Sequence, residues 1–134
     1  MMKQVSRFLP VFLLLFCSAT ASAQSEAVVS LKSAKSIYVK SSSLLVGRSV
    51  IEEKLEKRAE FSQMGLVITR NEQDADIILE VHHDRLTKYV YTAIDSRLNI
   101  VVASGKLSSL GGTVAGKVAK RFLKQVMQAR AVQS

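Results

Sequence analysis

Residues 75–107, ADIILEVHHDRLTKYVYTAIDSRLNIVVASGKL, decide the fold, because they contain three successive runs rich in β-branched, aromatic and other apolar residues, separated by short polar connections. Such runs are typical of β-strands, and with a period of two Ile77, Leu79 and Val81 share one face of the first run. The runs predict strands over 75–82, 88–95 and 99–107. Since short connections join antiparallel neighbours, this segment predicts an antiparallel meander.

The residues before the meander predict a leader, a strand, a helix and a second strand, over 24–35, 36–40, 44–64 and 66–70. The leader holds one short apolar run, 27–31, that is compatible with an edge strand. In the predicted helix, apolar or small residues recur every three or four positions. Gly65 follows it, where a left-handed residue commonly ends a helix.

A loop over 108–112 and a helix over 113–129 follow the meander, and 130–134 is expected to be a frayed tail. The order β-α-β-β-β-β-α predicts an α+β fold, a two-layer sandwich with two helices on one face of a mostly antiparallel sheet of about five strands. We expect a single domain over 36–129, with 24–35 as its linker.

The first 23 residues have the three-part layout of a secretory signal peptide. Lys3 and Arg7 give a basic start, an apolar run follows, and Ala21-Ser22-Ala23 matches a cleavage site. We therefore expect cleavage after Ala23 and an exported protein, periplasmic or extracellular; the alternative is an uncleaved anchor. Cys17 lies inside this segment, so the expected mature chain has no cysteine for a disulfide.

The charge of the chain is strongly basic and uneven. Its 134 residues carry 19 Lys and Arg against 11 Asp and Glu, for a net charge of +8. The polar face of the last helix carries four cations, Lys117, Lys120, Arg121 and Lys124. One hypothesis is an anion-binding surface for lipid or polymer of the envelope; the other is a solvated helix face. Export argues against nucleic acid as the partner.

The stretch 111–118, GGTVAGKV, comes close to a phosphate-binding loop. The loop requires Ser or Thr after the lysine, to hold Mg²⁺, but Val118 stands there and belongs to the apolar stripe of the helix. We therefore expect no nucleotide cofactor. Thr113 is predicted to cap the helix.

The two histidines of the chain, His82 and His83, are followed by Asp84. These side chains could serve acid–base catalysis or a metal, but neighbouring strand residues point to opposite faces. We therefore predict no metal site and no enzyme, with catalysis through these three residues as the alternative. Tyr89 and Tyr91 share one face of their strand, and would form a ligand patch if helices leave that face open.

Two stretches, LVITRNEQDADIILEV at 66–81 and YVYTAIDSRLNIVVASGKL at 89–107, resemble small bacterial envelope proteins. The similar groups are LptE-like accessory domains of outer-membrane assembly and the CsgG/LpoB-like and TolB N-terminal domains. This chain departs from many of them in lacking a lipobox. The resemblance implies a noncatalytic binding or assembly role, with an envelope protein or anionic envelope component as partner, and it transfers no site residues.

Overall fold

The computed structural model describes residues 26–109 and 111–131, and only the backbone of 111 and 112. The predicted signal peptide lies outside these residues. The first element is helix α1, over 26–33. The others are β1 (Ser36–Ser41), α2 (Arg48–Glu56), α3 (Ala59–Gln63), β2 (Val67–Ile68), a 3₁₀ turn (Glu72–Asp74), β3 (Ile77–Arg85), β4 (Lys88–Asp95), β5 (Val101–Ser108) and α4 (Gly111–Ala131).

The five strands form one open sheet in the order β2-β1-β3-β4-β5. β1 pairs in parallel with β2 and with β3, whereas the longer ladders β3–β4 and β4–β5 are antiparallel. The predicted α+β fold and the meander are confirmed. The parallel contact between β1 and β3 places the first strand inside the sheet, between β2 and β3.

The core lies between the helices and one face of the sheet, which we call the helix-covered face. Ile37, Val39 and Leu79 point to it from the strands, and Ile51 and Phe122 meet them from α2 and α4; all five are 0% exposed. The opposite, open face carries the alternate residues of the same strands. The sheet therefore has one dry face and one face available to partners.

The edge strand considered for 27–31 is wrong, because residues 26–33 form helix α1. Leu31 and Ala34 are buried, and Ala27 and Val28 pack against the same core. Their spacing of three or four residues is that of a helix face. Burial of this face against the domain decides the structure of a segment with little local signal.

The helix predicted over 44–64 is shorter at its start and broken in the middle. It begins at Arg48 after Gly47, and Arg58 is extended between α2 and α3, with φ −83° and ψ 132°. In a straight helix Phe61 would lie about 240° around the axis from Leu55. The break instead brings Phe61 into the core. Gly65 has φ +68°, which confirms its left-handed position.

Other boundaries shift by one to three residues, while β4 has the predicted bounds. β2 contains only Val67–Ile68, since only these residues pair with β1. The predicted frayed tail is wrong at its first residues, because α4 continues to Ala131. Arg130 donates to the carbonyl oxygens of Met64 at 2.7 Å and Ala34 at 2.9 Å, which fastens the helix end to the domain.

Candidate functional site

The Gly-Lys stretch at 111–118 forms the first turns of α4. Val118 is completely buried with Ala115 and Phe122, so the residue at the hydroxyl position of a phosphate loop faces the core, as predicted. The predicted cap is wrong in position, because the helix already begins at Gly111. Thr113 therefore lies within the first turn, where its hydroxyl contacts that of Ser109.

The tyrosine patch predicted on strand 88–95 is not a surface. Tyr89 and Tyr91 are each 1% exposed and belong to the hydrophobic core. The Tyr91 hydroxyl donates to Oε1 of Gln125 in α4 at 2.8 Å, and burial raises the pKa of this phenol. The helices cover this face of β4, so both rings act in packing.

The two histidines diverge, as strand alternation predicts. His82 is aligned with Val90 and His83 with Tyr89, which places them on opposite faces of the sheet. The His83 ring packs against Tyr89 with 4.8 Å between centroids, and its Nε2 contacts the carbonyl oxygen of Leu86. The two rings therefore do not converge on a shared ligand.

The four predicted cations of α4 divide into two pairs. Lys117 Nζ lies 3.4 Å from the carbonyl oxygen of Ser108, and Arg121 Nη1 donates to that of Lys106 at 2.6 Å. One helical turn further on, Gln125 Nε2 donates to the carbonyl oxygen of Ser104 at 3.1 Å. Lys120 and Lys124 are exposed on the outer side of the helix.

The spacing of these three bonds follows from helix and strand geometry. Residues four apart on a helix rise about 6 Å, and residues two apart on a strand about 6.7 Å. Lys117, Arg121 and Gln125 therefore reach successive outward carbonyls of β5, which is an edge strand of the sheet. An unpaired edge is a template for pairing with another chain, and these side chains obstruct it.

Three further cations lie on the open face of β3, β4 and β5. Lys88 alternates with the buried Tyr89 and so points to the open face, and Arg85 is aligned directly with Lys88. Lys106 is aligned with Val90, the next open-face residue of β4. These three cations were not grouped from the sequence, although strand alternation, which puts residues 88 and 90 on one face of β4, was a usable signal.

We call this set of cations on β3, β4, β5 and α4 the basic belt: Arg85, Lys88, Lys106, Lys117, Lys120, Arg121 and Lys124. None of them belongs to the ion pairs within 4.0 Å found among the described residues. Lys88 and Lys106 line a depression of about 280 Å³, in which Asp84 is the acidic lining residue. The belt thus presents a strong excess of positive charge.

A second depression, of about 380 Å³, lies at the other end of the sheet around the buried Asp95. Ser30 of α1 donates its hydroxyl to one carboxylate oxygen. The other accepts from the backbone N–H groups of Arg97 and Leu98, each at 2.8 Å. Desolvation raises the pKa of Asp95, but these hydrogen bonds outweigh it and lower the pKa. This carboxylate ties α1 to the β4–β5 turn.

In the part of the chain that the structure describes, no helix combines the length and apolar character needed to cross a membrane. No family model matches the sequence, and no curated protein does so.

Several solved structures have a related arrangement. A variant PelC dodecamer from Paraburkholderia phytofirmans is 15% identical, with 69% of this chain and 88% of that chain covered and a TM-score of 0.42. Uncharacterized lipoprotein B from Nitrosomonas europaea is 12% identical, with 74% and 82% covered and a TM-score of 0.32. A putative neuraminyllactose-binding hemagglutinin homolog from Helicobacter pylori is 9% identical, with 77% and 87% covered and a TM-score of 0.32.

None of these three carries a name from the LptE, CsgG, LpoB or TolB groups.

Proposed function

We propose that this chain is an exported, non-enzymatic binding or assembly module of a bacterial cell envelope, and that it binds an anionic envelope component through the basic belt. The basic belt is the observation that carries this proposal. The meander register aligns Arg85 with Lys88 and sets Lys106 on the neighbouring strand, and α4 lies against β5 through Lys117 and Arg121. The signal-peptide pattern at 1–23 supports the export.

The structure extends the hypothesis that placed the anion site on α4 alone. The side chains of Lys117 and Arg121 donate hydrogen bonds to backbone carbonyls of β5, whereas Lys120 and Lys124 are exposed to solvent. Arg85, Lys88 and Lys106 add charge on the adjacent open face. A single exposed ion pair contributes about 1 kcal/mol or less, so appreciable affinity requires a polyanion or an anionic surface that meets several cations at once.

A salt-dependent binding measurement tests the proposal. Protein recovered from the envelope of an expressing bacterium is titrated against fluorescently labelled polyphosphate by anisotropy, at 20 mM and 300 mM NaCl. Because salt screens exposed charges, binding should weaken at least tenfold at the higher salt. Mass spectrometry of the same material should find Gln24 as the first residue, and an intact Met1 would refute export.

Charge-matched variants identify the surface. Replacement of Lys88 and Lys106 by Gln should weaken binding, and so should the same change at Lys120 and Lys124. The control replaces Lys32 and Lys54, on α1 and α2, by Gln. It removes the same charge from two residues that do not belong to the basic belt, and it should leave binding nearly unchanged. Equal losses in all three variants would indicate a net-charge effect and contradict the proposed site.

A further inference from the structure

Exposed leucines gather at the end of the sheet where β1 and β3 finish. Leu44 is 104% exposed and Leu45 66% exposed, in the loop between β1 and α2, and Leu86 is 89% exposed at the tip of the β3–β4 hairpin. Ser41 is aligned with Val81, so the loop and the hairpin leave the same end of the sheet. We call Leu44, Leu45 and Leu86 the leucine end.

Leu86 is unfavourably placed for the stability of the free protein. Its φ of 45° lies in the left-handed region, which glycine and asparagine tolerate and leucine rarely adopts. Among the described residues, the other non-glycine residue with a positive φ is Asn99, with φ 54°, and asparagine suits this conformation. Leu86 therefore combines backbone strain with an apolar side chain in water, and strain of this kind clusters where a ligand is bound.

Part of the basic belt borders the leucine end. Arg85 and Lys88 bracket the hairpin tip and face each other across it, although like charges directly opposite destabilise a sheet. Lys117 lies in the first turns of α4, which starts at the same end. Exposed apolar side chains bordered by lysine and arginine are the features with which proteins bind the interface of anionic bilayers.

We infer that the leucine end docks on a bilayer containing anionic phospholipid, with its three side chains at the boundary between headgroups and acyl chains. The inference rests on the proposed function, because it identifies lipid headgroups as the anionic ligand of the belt. Leu44 and Leu86 lie three and five residues beyond the aligned pair Ser41–Val81, and interfacial insertion of apolar side chains reaches roughly 5–10 Å.

Vesicle co-sedimentation tests the inference with the same envelope-derived protein. Vesicles of phosphatidylcholine with 30% phosphatidylglycerol should bind the protein, and vesicles of phosphatidylcholine alone should bind it at least tenfold more weakly. Replacement of Leu44, Leu45 and Leu86 by Ser should lower binding to the anionic vesicles about tenfold or more, since the apolar contribution is lost. Replacement of Arg85 and Lys88 by Gln should lower it about 30-fold, at about 1 kcal/mol per cation.

Leu98→Ser is the matched control, because Leu98 is 56% exposed in the β4–β5 turn, at the opposite end of the sheet. It should bind vesicles as the unchanged protein does. Polyphosphate binding separates the two proposals. Vesicle binding that is absent, or unaffected by the leucine changes, refutes membrane docking even if polyphosphate still binds. Loss of binding to both probes refutes the proposed function as well.

Discussion

Replacement of Gly105 by alanine should destabilise the protein, because the ring of Tyr91 occupies the space of the added methyl group. Gly105 in β5 is aligned with Tyr91 in β4. A Cβ atom on Gly105 would lie 2.5 Å from Cε1 of that ring and 2.8 Å from its Cζ and hydroxyl oxygen. The ring cannot move freely, since it is buried and its hydroxyl donates to Gln125 at 2.8 Å.

The expected loss follows from three contributions. Relief of the overlap requires a ring shift of about 1 Å, and overpacking of this kind costs about 1–3 kcal/mol. The shift also strains the hydrogen bond to Gln125, worth about 0.5–1.5 kcal/mol. Alanine regains about 0.5–1 kcal/mol because it restricts the unfolded chain. The net loss in unfolding free energy is about 2 kcal/mol, which corresponds to a fall in Tm of about 10 °C.

Thermal unfolding followed by circular dichroism measures this loss, with Gly116→Ala as the control. Nothing lies within 4 Å of a Cβ built on Gly116, which is inside helix α4, so that change should stabilise the protein by about 0.5–1 kcal/mol. In a variant that already carries Tyr91→Leu, Gly105→Ala should lower the free energy of unfolding by less, because the ring that the added methyl group would overlap is absent. A neutral or stabilising Gly105→Ala would refute the packing described for this face of β4.

Three further changes test other parts of the structure. Asp95 has a lowered pKa, so its contribution to stability is present above about pH 4 and lost at lower pH. Asp95→Asn should lower the free energy of unfolding at pH 7 by about 1–3 kcal/mol, and it should make that free energy decline less steeply as the pH falls. Urea unfolding measured between pH 2 and pH 7 tests both results. Leu86→Gly should raise Tm, because glycine adopts a φ of 45° without strain, and the free energy of unfolding should rise by about 1 kcal/mol. An unchanged or lower Tm would contradict backbone strain at Leu86. Arg130→Gln should lower the free energy of unfolding, measured with urea, by about 1–3 kcal/mol, because the hydrogen bonds to the carbonyls of Met64 and Ala34 are lost. An unchanged urea midpoint would show that these bonds do not hold the end of α4 against the domain.

The candidate site was only partly predictable. The polar face of α4 follows from helix periodicity, so Lys117, Lys120, Arg121 and Lys124 could be grouped from the sequence alone. Arg85, Lys88 and Lys106 join them only through the register of two antiparallel ladders. Helix periodicity also could not show that Lys117 and Arg121 contact carbonyls of β5, because these contacts depend on the position of α4 on the sheet.

Both faces of β4 are apolar enough to be buried, which explains the error about the tyrosines. Tyr89, Tyr91 and Ala93 alternate with Val90, Thr92 and Ile94. A period of two shows which side chains share a face, but it does not show which face the helices cover. The position of α4 decides this, through contacts such as Tyr91 with Gln125 across 34 residues.

What the sequence determined by itself is local: the strand pattern of the meander with the exact bounds of β4, and the amphipathic stripe of α4. Neighbouring residues are sufficient for these features, because the periods of strand and helix are built into the backbone. The tertiary structure alone decided the position of β1 between β2 and β3 and the helix at 26–33. Both depend on contacts between distant segments, such as Ser30 with Asp95, and neighbouring residues do not specify such contacts.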